Sequence, residues 1–171
     1  MLDNIILIGF MGCGKTTFGT WIAKNKKMDF CDTDALIVEK EKKSINDIFS
    51  ENGEPYFRKL ETEIVKDLIK SRHNTVVSVG GGLPLKPENR GLLKKLGTVV
   101  YLRTSVEELT KRLAGDTTRP LLAGGNIREK ITHLMDMRLS DYLDAAEVII
   151  DTDGRSFDEM YENILKEKRE A

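Results

Sequence analysis

Gly9-Phe10-Met11-Gly12-Cys13-Gly14-Lys15-Thr16 satisfies G-x-x-x-x-G-K-[ST] at every position. Before it stands Asn4-Ile5-Ile6-Leu7-Ile8, an apolar run short enough for a buried strand; after it, Thr17-Phe18-Gly19-Thr20-Trp21-Ile22-Ala23-Lys24 carries apolar residues at helical spacing. Strand, glycine loop and helix in that order are the context that separates a phosphate-binding P-loop from an ordinary glycine turn. Glycines let the backbone wrap closely around phosphates, successive N–H groups form an anion nest, and the helix N-terminus adds positive partial charge. In such a loop Gly12, Cys13, Gly14, Thr16 and Thr17 bind a nucleoside triphosphate, Lys15 reaches its β- and γ-phosphates, and the Thr16 hydroxyl ligates Mg²⁺.

Working outward, strands and helices alternate to the end of the chain. Met28–Asp32 reads as a second strand, 34–43 as a helix, and Ser44-Ile45-Asn46-Asp47 as the capped start of another, stopped by Asn52-Gly53. A long helix begins at Pro55. Thr75–Val79 is a β-branched strand cut by Gly80-Gly81-Gly82, and 87–96 a short helix. Thr98–Leu102 is the fourth strand, and Ser105 caps the next helix. Residues 115–125 are irregular, 127–143 helical, Val148–Asp151 the fifth strand and 157–168 a closing amphipathic helix. Continuous apolar strands separated by helices predict a three-layer α/β/α fold around a five-stranded parallel sheet. Ligands bind beyond the strand C-termini of such sheets, so Gly9, Asp32 and Gly80 are expected on one edge.

At 171 residues the chain suits one domain, taken here as 1–171. Twenty-seven basic residues balance 28 acidic ones, which gives no general drive toward nucleic acid or an anionic membrane. No stretch has the length of a membrane span, and Met1-Leu2-Asp3 runs straight into a strand without a leader-like n-region, so a cytoplasmic protein is expected. Cys13 and Cys31 fit no metal spacing. A disulfide between them would interfere with the phosphate loop; two small buried thiols are the preferred reading.

Four further features bear on chemistry. Asp32-Thr33-Asp34 puts two carboxylates in one turn, suited to holding Mg²⁺ and to orienting or deprotonating an attacking hydroxyl; Thr33 or Asp34 also suits capping of the next helix. Gly80-Gly81-Gly82 suggests close backbone approach to a ligand. Arg58, with Glu61 one turn later, and Arg138, four residues before Tyr142, are each an unremarkable helical arginine alone, but together could grip a carboxylate. Asp116–Gly125 frames Arg119 with hinge-like glycines, as in a lid that closes over ATP; a plain surface loop is the alternative.

Taken in order, these motifs resemble the shikimate kinases, a family of nucleoside-monophosphate-kinase-like P-loop enzymes. The resemblance runs from Asn4 to about Arg155 and rests on Gly9–Thr16, Asp32–Asp34, Phe57-Arg58-Lys59-Leu60-Glu61, Gly80–Gly82, Arg119-Pro120-Leu121-Leu122 and Arg138–Tyr142. It implies an ATP-dependent phosphotransferase with an alcohol acceptor, making shikimate 3-phosphate and ADP in aromatic amino acid biosynthesis. By resemblance, Asp34 binds the 3-hydroxyl and serves as base. Arg58 and Arg138 hold the shikimate carboxylate, the Gly80–Gly82 run touches the acceptor with Gly81 as N–H donor, and Glu61 orients Arg58. Phe49 and Phe57 line the ring. Asp32 and Thr16 serve Mg²⁺, Lys15 and Arg119 stabilise the transferring phosphoryl, and Arg112 and Arg155 lie against adenine. Cys13 stands where Ser or Ala is commoner. Substrate-binding helices are expected at about 34–71, a lid at about 115–125, and a monomer overall. A gluconate kinase, a nucleoside monophosphate kinase and a non-catalytic nucleotide-binding module are the rival readings.

Overall fold

The computed structural model describes residues 3–170; Met1, Leu2 and Ala171, part of the expected 1–171 domain, lie outside that range. Five parallel strands, β1 (Asn4–Ile8), β2 (Asp29–Asp32), β3 (Thr75–Ser78), β4 (Thr98–Arg103) and β5 (Val148–Asp151), form one sheet in the order β2-β3-β1-β4-β5. Among the described residues eight α-helices connect and cover them: α1 (Lys15–Lys26), α2 (Thr33–Glu41), α3 (Ile45–Asn52), α4 (Glu54–Ser71), α5 (Pro87–Leu96), α6 (Val106–Leu113), α7 (Ile127–Ala145) and α8 (Phe157–Glu170). The expected elements are all present, with ends displaced by a residue or two. The 115–125 stretch differs slightly from expectation, because Pro120–Leu122 closes a short 3-10 turn.

The three central strands β1, β3 and β4 are buried on both faces because both faces are covered, whereas the edge strands β2 and β5 are partly exposed. Ile5 and Leu7 of β1 pack with Phe18 and Ile22 of α1, Leu109 of α6 and Ile164 of α8. Ile6 and Ile8 point the other way, toward Leu60 and Ile64 of α4, Leu93 of α5 and Tyr142 of α7. The strand period of two thus sorts one sequence into two cores. Cys13 belongs to the first core and Cys31 to the second; both are free and the sheet stands between them, so a bridge is not available to this fold.

The chain leaves β1 toward β2 on one side and, after β3, crosses to β4 on the other. The reversal falls between neighbouring β1 and β3, whose registers pair Leu7 with Ser78. At this crevice the loop after β1 and the glycine run after β3 emerge side by side, and ligands bind at such switch points.

Candidate active site

The phosphate loop owes its shape to backbone geometry. Gly12 and Gly14 have φ of +78° and +97°, where side-chain-bearing residues are strained, and α1 begins at Lys15 directly behind them. Lys15 Nζ donates to the carbonyls of Gly9 (2.8 Å) and Phe10 (3.1 Å), lying across the loop it serves. A cavity of about 380 Å³ opens over the loop, lined by Gly12, Gly14, Lys15, Thr16, Thr17, Asp32, Asp34, Gly80, Gly81 and Arg119. The three strand ends named from the sequence do converge.

The two aspartates after β2 have separate tasks. Asp32, and not Thr33 or Asp34, caps α2: its Oδ1 accepts from the Ala35 N–H at 3.1 Å. Its backbone is extended while Thr33 and Asp34 are already helical, and only the residue before the first turn can reach that N–H. Thr33 is fully buried and its hydroxyl accepts from the Gly80 N–H at 3.1 Å, tying α2 to the glycine run. Asp34 is left free for the site. Its Oδ1 is the one buried side-chain polar atom among the described residues with no hydrogen-bond partner. Burial, reinforced by Asp32, pushes the Asp34 carboxyl above its usual range, while Lys15, Arg58 and Arg119 pull it back.

A second cavity, about 420 Å³, shares Asp34, Gly80, Gly81, Arg119 and Met11 with the first and extends to Ile45, Phe57, Arg58, Glu61, Gly82, Leu121 and Arg138. Arg58 is held from both sides along its own helix, by Glu61 (2.8 Å) one turn after it and Glu54 (3.2 Å) one turn before it. Glu61 is 1% exposed, and burial pushes its carboxyl up to about 7 despite the guanidinium beside it. Arg138 differs. It is 7% exposed, its guanidinium lies 5.7 Å from the Phe10 ring, and the arginine ion pairs of the described residues involve 58, 90, 103, 112, 119 and 128 but not 138. A buried cation without an acid is costly unless an anion arrives to meet it.

The glycine run explains itself sterically. A Cβ on Gly80 would meet Asp34 Oδ1 at 2.9 Å, one on Gly81 would meet an Arg138 nitrogen at 3.4 Å, and one on Gly82 would meet both terminal nitrogens of Arg58 at 2.5 Å. Asp34 and Arg58 occupy the space a side chain would take at Gly80 and Gly82, while at Gly81 a Cβ would only touch Arg138. Tyr142, on α7 with Arg138, donates its hydroxyl to the Gly81 carbonyl at 2.7 Å; burial pushes that phenol up to about 12, so it keeps its proton.

Arg119 lines both cavities from the 115–125 loop, where Asp116 organises the turn: it accepts from Thr118 N (2.8 Å), Thr118 Oγ1 (2.6 Å) and Arg119 Nε (3.0 Å). Arg112 and Arg155 line a third cavity with Gly12, Cys13, Thr17, Thr152 and Phe157 on the outer side of the phosphate loop, and Arg112 donates to the Gly12 carbonyl at 3.2 Å. Phe57 faces the acceptor cavity. Phe49 does not line it; its ring stacks behind Phe57, 4.7 Å away and tilted by 38°. Thr33 and Met11 were not legible as site residues, since Thr33 acts through Gly80, 47 positions away, and Met11 is placed only by the cavities it lines. Among the described residues no group of three or more His, Cys, Asp or Glu could cage a metal. Mg²⁺ held mainly by phosphates and water needs no such cage, and the Thr16 hydroxyl with the Asp32 carboxylate beside the phosphate loop suits it.

A family model described as shikimate kinase matches residues 11–169. Among curated relatives, the shikimate kinase of Geobacter metallireducens is 47% identical over 161 residues, 94% of this chain and 89% of the relative. That of Enterococcus faecalis is 43% identical over 171 residues, 99% and 100% of the two chains. Among solved structures, a shikimate kinase from Acinetobacter baumannii in complex with shikimate superposes with a TM-score of 0.89 at 35% identity, covering 99% of this chain and 94% of the other. A gluconokinase from Sinorhizobium meliloti, at 19% identity and a TM-score of 0.54 over 98% and 91% of the chains, shares the fold alone.

Proposed function

The chain belongs to the shikimate kinase family, and from that premise we propose how its residues divide the transfer of the ATP γ-phosphoryl group to the 3-hydroxyl of shikimate. One observation carries the reading. A single cavity joined to the phosphate loop is lined both by a carboxylate oxygen lacking a partner, on Asp34, and by a buried guanidinium lacking an acid, on Arg138. An acceptor with a hydroxyl and a carboxylate satisfies both.

Gly12 to Thr17 hold the ATP phosphates through backbone N–H groups and the start of α1, with Lys15 against the β- and γ-phosphates. Thr16 and Asp32 would hold Mg²⁺, which would neutralise charge on the phosphates. Arg112 and Arg155 flank the base from the third cavity. On the acceptor side, Arg58 and Arg138 grip the carboxylate, Gly81 and its neighbours approach the ring closely, and Phe57, backed by Phe49, packs on its apolar face. Asp34 accepts a hydrogen bond from the 3-hydroxyl and takes its proton as the oxygen attacks phosphorus. Its upward-pushed carboxyl is a better proton acceptor than an exposed aspartate. Arg119, lining both cavities, neutralises charge on the phosphoryl group in passage.

Residues 1–171 serve as one kinase domain, with helices over about 34–71 as the acceptor arm and 115–125 as the lid. No helix among the described residues is long and apolar enough to cross a membrane. A cytoplasmic location is the one most consistent with two free thiols, and a monomer with the few scattered large apolar residues exposed among those described. The test is a coupled ADP-release assay with shikimate, gluconate and nucleoside monophosphates as acceptors. Turnover with shikimate alone is expected; faster turnover with either alternative would overturn the reading.

A further inference from the structure

Neighbouring residues of α5, Asn89 and Arg90, lie outside both cavities yet hold, from opposite sides, the 3-10 turn Leu83–Leu85 that is bonded back to Gly80 and Gly82 and closes the glycine run. Asn89 is fully buried. Its Nδ2 donates to the Leu83 carbonyl at 3.0 Å, and its Oδ1 accepts from the Thr62 hydroxyl at 2.8 Å. Thr62 stands one turn after Arg58 on α4, its hydroxyl 3.1 Å from the Arg58 carbonyl. Arg90 forks the other way. Its Nη1 is within hydrogen-bond distance of the Pro84 (3.0 Å) and Leu85 (3.2 Å) carbonyls and of Asp141 (2.9 Å), and its Nε donates to Asp144 (2.5 Å). Asp141 precedes Tyr142, which holds the Gly81 carbonyl, and follows Arg138 by one turn of α7.

The two arginines of the acceptor site come from helices about eighty residues apart, and both lie against the glycine run that this turn closes, at Gly82 and Gly81. A planar grip on one carboxylate requires their relative position to be held within a fraction of an ångström. Direct links between α4 and α7 do not supply that. Tyr142 reaches the Gly81 carbonyl from α7 directly and Lys86 Nζ donates to the Thr62 hydroxyl at 3.2 Å; the remaining hydrogen bonds between α4, the turn and α7 pass through Asn89 and Arg90.

We propose that Asn89 and Arg90 form a bracket that fixes Arg58 and Arg138 relative to one another about the Gly80–Gly82 turn, acting as positioning residues for the substrate carboxylate without touching the substrate. The proposal rests on the carboxylate grip described above. A bracket of this kind acts on one half of the site. Its loss weakens the acceptor, leaves ATP alone, and is felt only by acceptors that present the negative charge.

The experiment compares shikimate with its carboxamide in the wild-type enzyme and in Arg90→Met. The wild type should prefer shikimate strongly. Arg90→Met should raise KM for shikimate roughly tenfold, the size expected when a charged hydrogen-bonding group is lost, leave KM for ATP within about twofold, and shrink the preference for the carboxylate by a similar factor. Equal losses with both acceptors, or an equal shift in KM for ATP, would show general loosening and overturn the bracket while leaving the grip intact. A wild type indifferent to the carboxamide would overturn grip and bracket together. Should Arg90→Met fail to fold, the Asn89 arm is tested through its hydroxyl partner. Thr62→Val, of equal shape, should raise KM for shikimate, and Thr62→Ser should restore it; indistinguishable Val and Ser variants would reject the proposal.

Discussion

Asp34 and Glu61 are two carboxylates on the same cavity with different work to do. Asp34 has an oxygen with no partner, whereas Glu61 is committed to Arg58. Asp34→Asn keeps the shape and a hydrogen-bonding group but cannot take a proton, so turnover should fall by roughly 10²–10⁴, with ATP affinity unchanged in an equilibrium nucleotide-binding titration. Near-normal turnover would remove Asp34 from the chemistry. Glu61 makes a stability prediction. Its carboxyl is pushed from an ordinary 4.5 to about 7 by burial, so between those pH values the folded chain holds more protons than the unfolded one. Stability therefore falls as pH rises from about 4.5 to 7 and levels off above, by about 3 kcal/mol for this group. Asp34, also shifted upward, adds the same sign. Glu61→Gln should flatten much of that slope in thermal melts from pH 5 to 8, and raise KM for shikimate because Arg58 loses a partner. A mutant with the wild-type slope would refute the assignment. At this scale the residue types were legible, since a D-x-D turn and an R-x-x-E helix announce acids and their partner. That Asp32 takes the cap and frees Asp34 was not, because capping depends on where the helix begins to within one residue.

Among the elements, the glycine run after β3 lies against three site side chains. Gly82 has φ −93° and ψ −8°, a conformation open to any residue, so Gly82→Ala strains no backbone. The obstacle is the Arg58 guanidinium, which a Cβ would meet at 2.5 Å. Being the end of a long side chain, it can swing aside. Gly82→Ala should fold with a melting temperature within a few degrees of wild type yet raise KM for shikimate about tenfold or more, since displacing one arm of a charged grip costs on the order of 1.5–3 kcal/mol. A variant with unchanged KM would show that Arg58 does not need its observed position. The elements themselves were readable with little error. Ser44 and Ser105 cap α3 and α6 as their places in the sequence suggest, accepting from Asp47 and Glu108. The run of three glycines signalled close approach but could not say to what, because Arg58, Asp34 and Arg138 come from three other helices.

For the whole molecule, five parallel strands with a core on each face place every functional loop on one edge and leave the opposite edge to structure. Large exposed apolar residues among those described are scattered: Val38, Leu121, Met137, Leu139, Leu143 and Ile149. Of these, Leu121 belongs to the acceptor cavity, and Leu139 and Leu143 lie one turn apart on α7. Two residues make too small a patch for a stable interface. Sedimentation velocity should give a single species near the chain mass of 19.3 kDa with and without ATP and shikimate; a dimer at micromolar concentration would refute the monomer. The sequence by itself determined the strand–helix alternation, the phosphate loop and the identities of the acidic and basic residues, because local spacing and backbone permissiveness act over a few neighbours. Tertiary structure alone decided which of those residues share a cavity, that Phe49 backs Phe57 without reaching the cavity, that Cys13 and Cys31 sit on opposite faces, and that Asn89 and Arg90 tie the acceptor arms together. Those outcomes depend on strand order and on the reversal between β1 and β3, which bring together side chains separated by tens of residues and bury charges whose cost only a shared ligand or partner can offset.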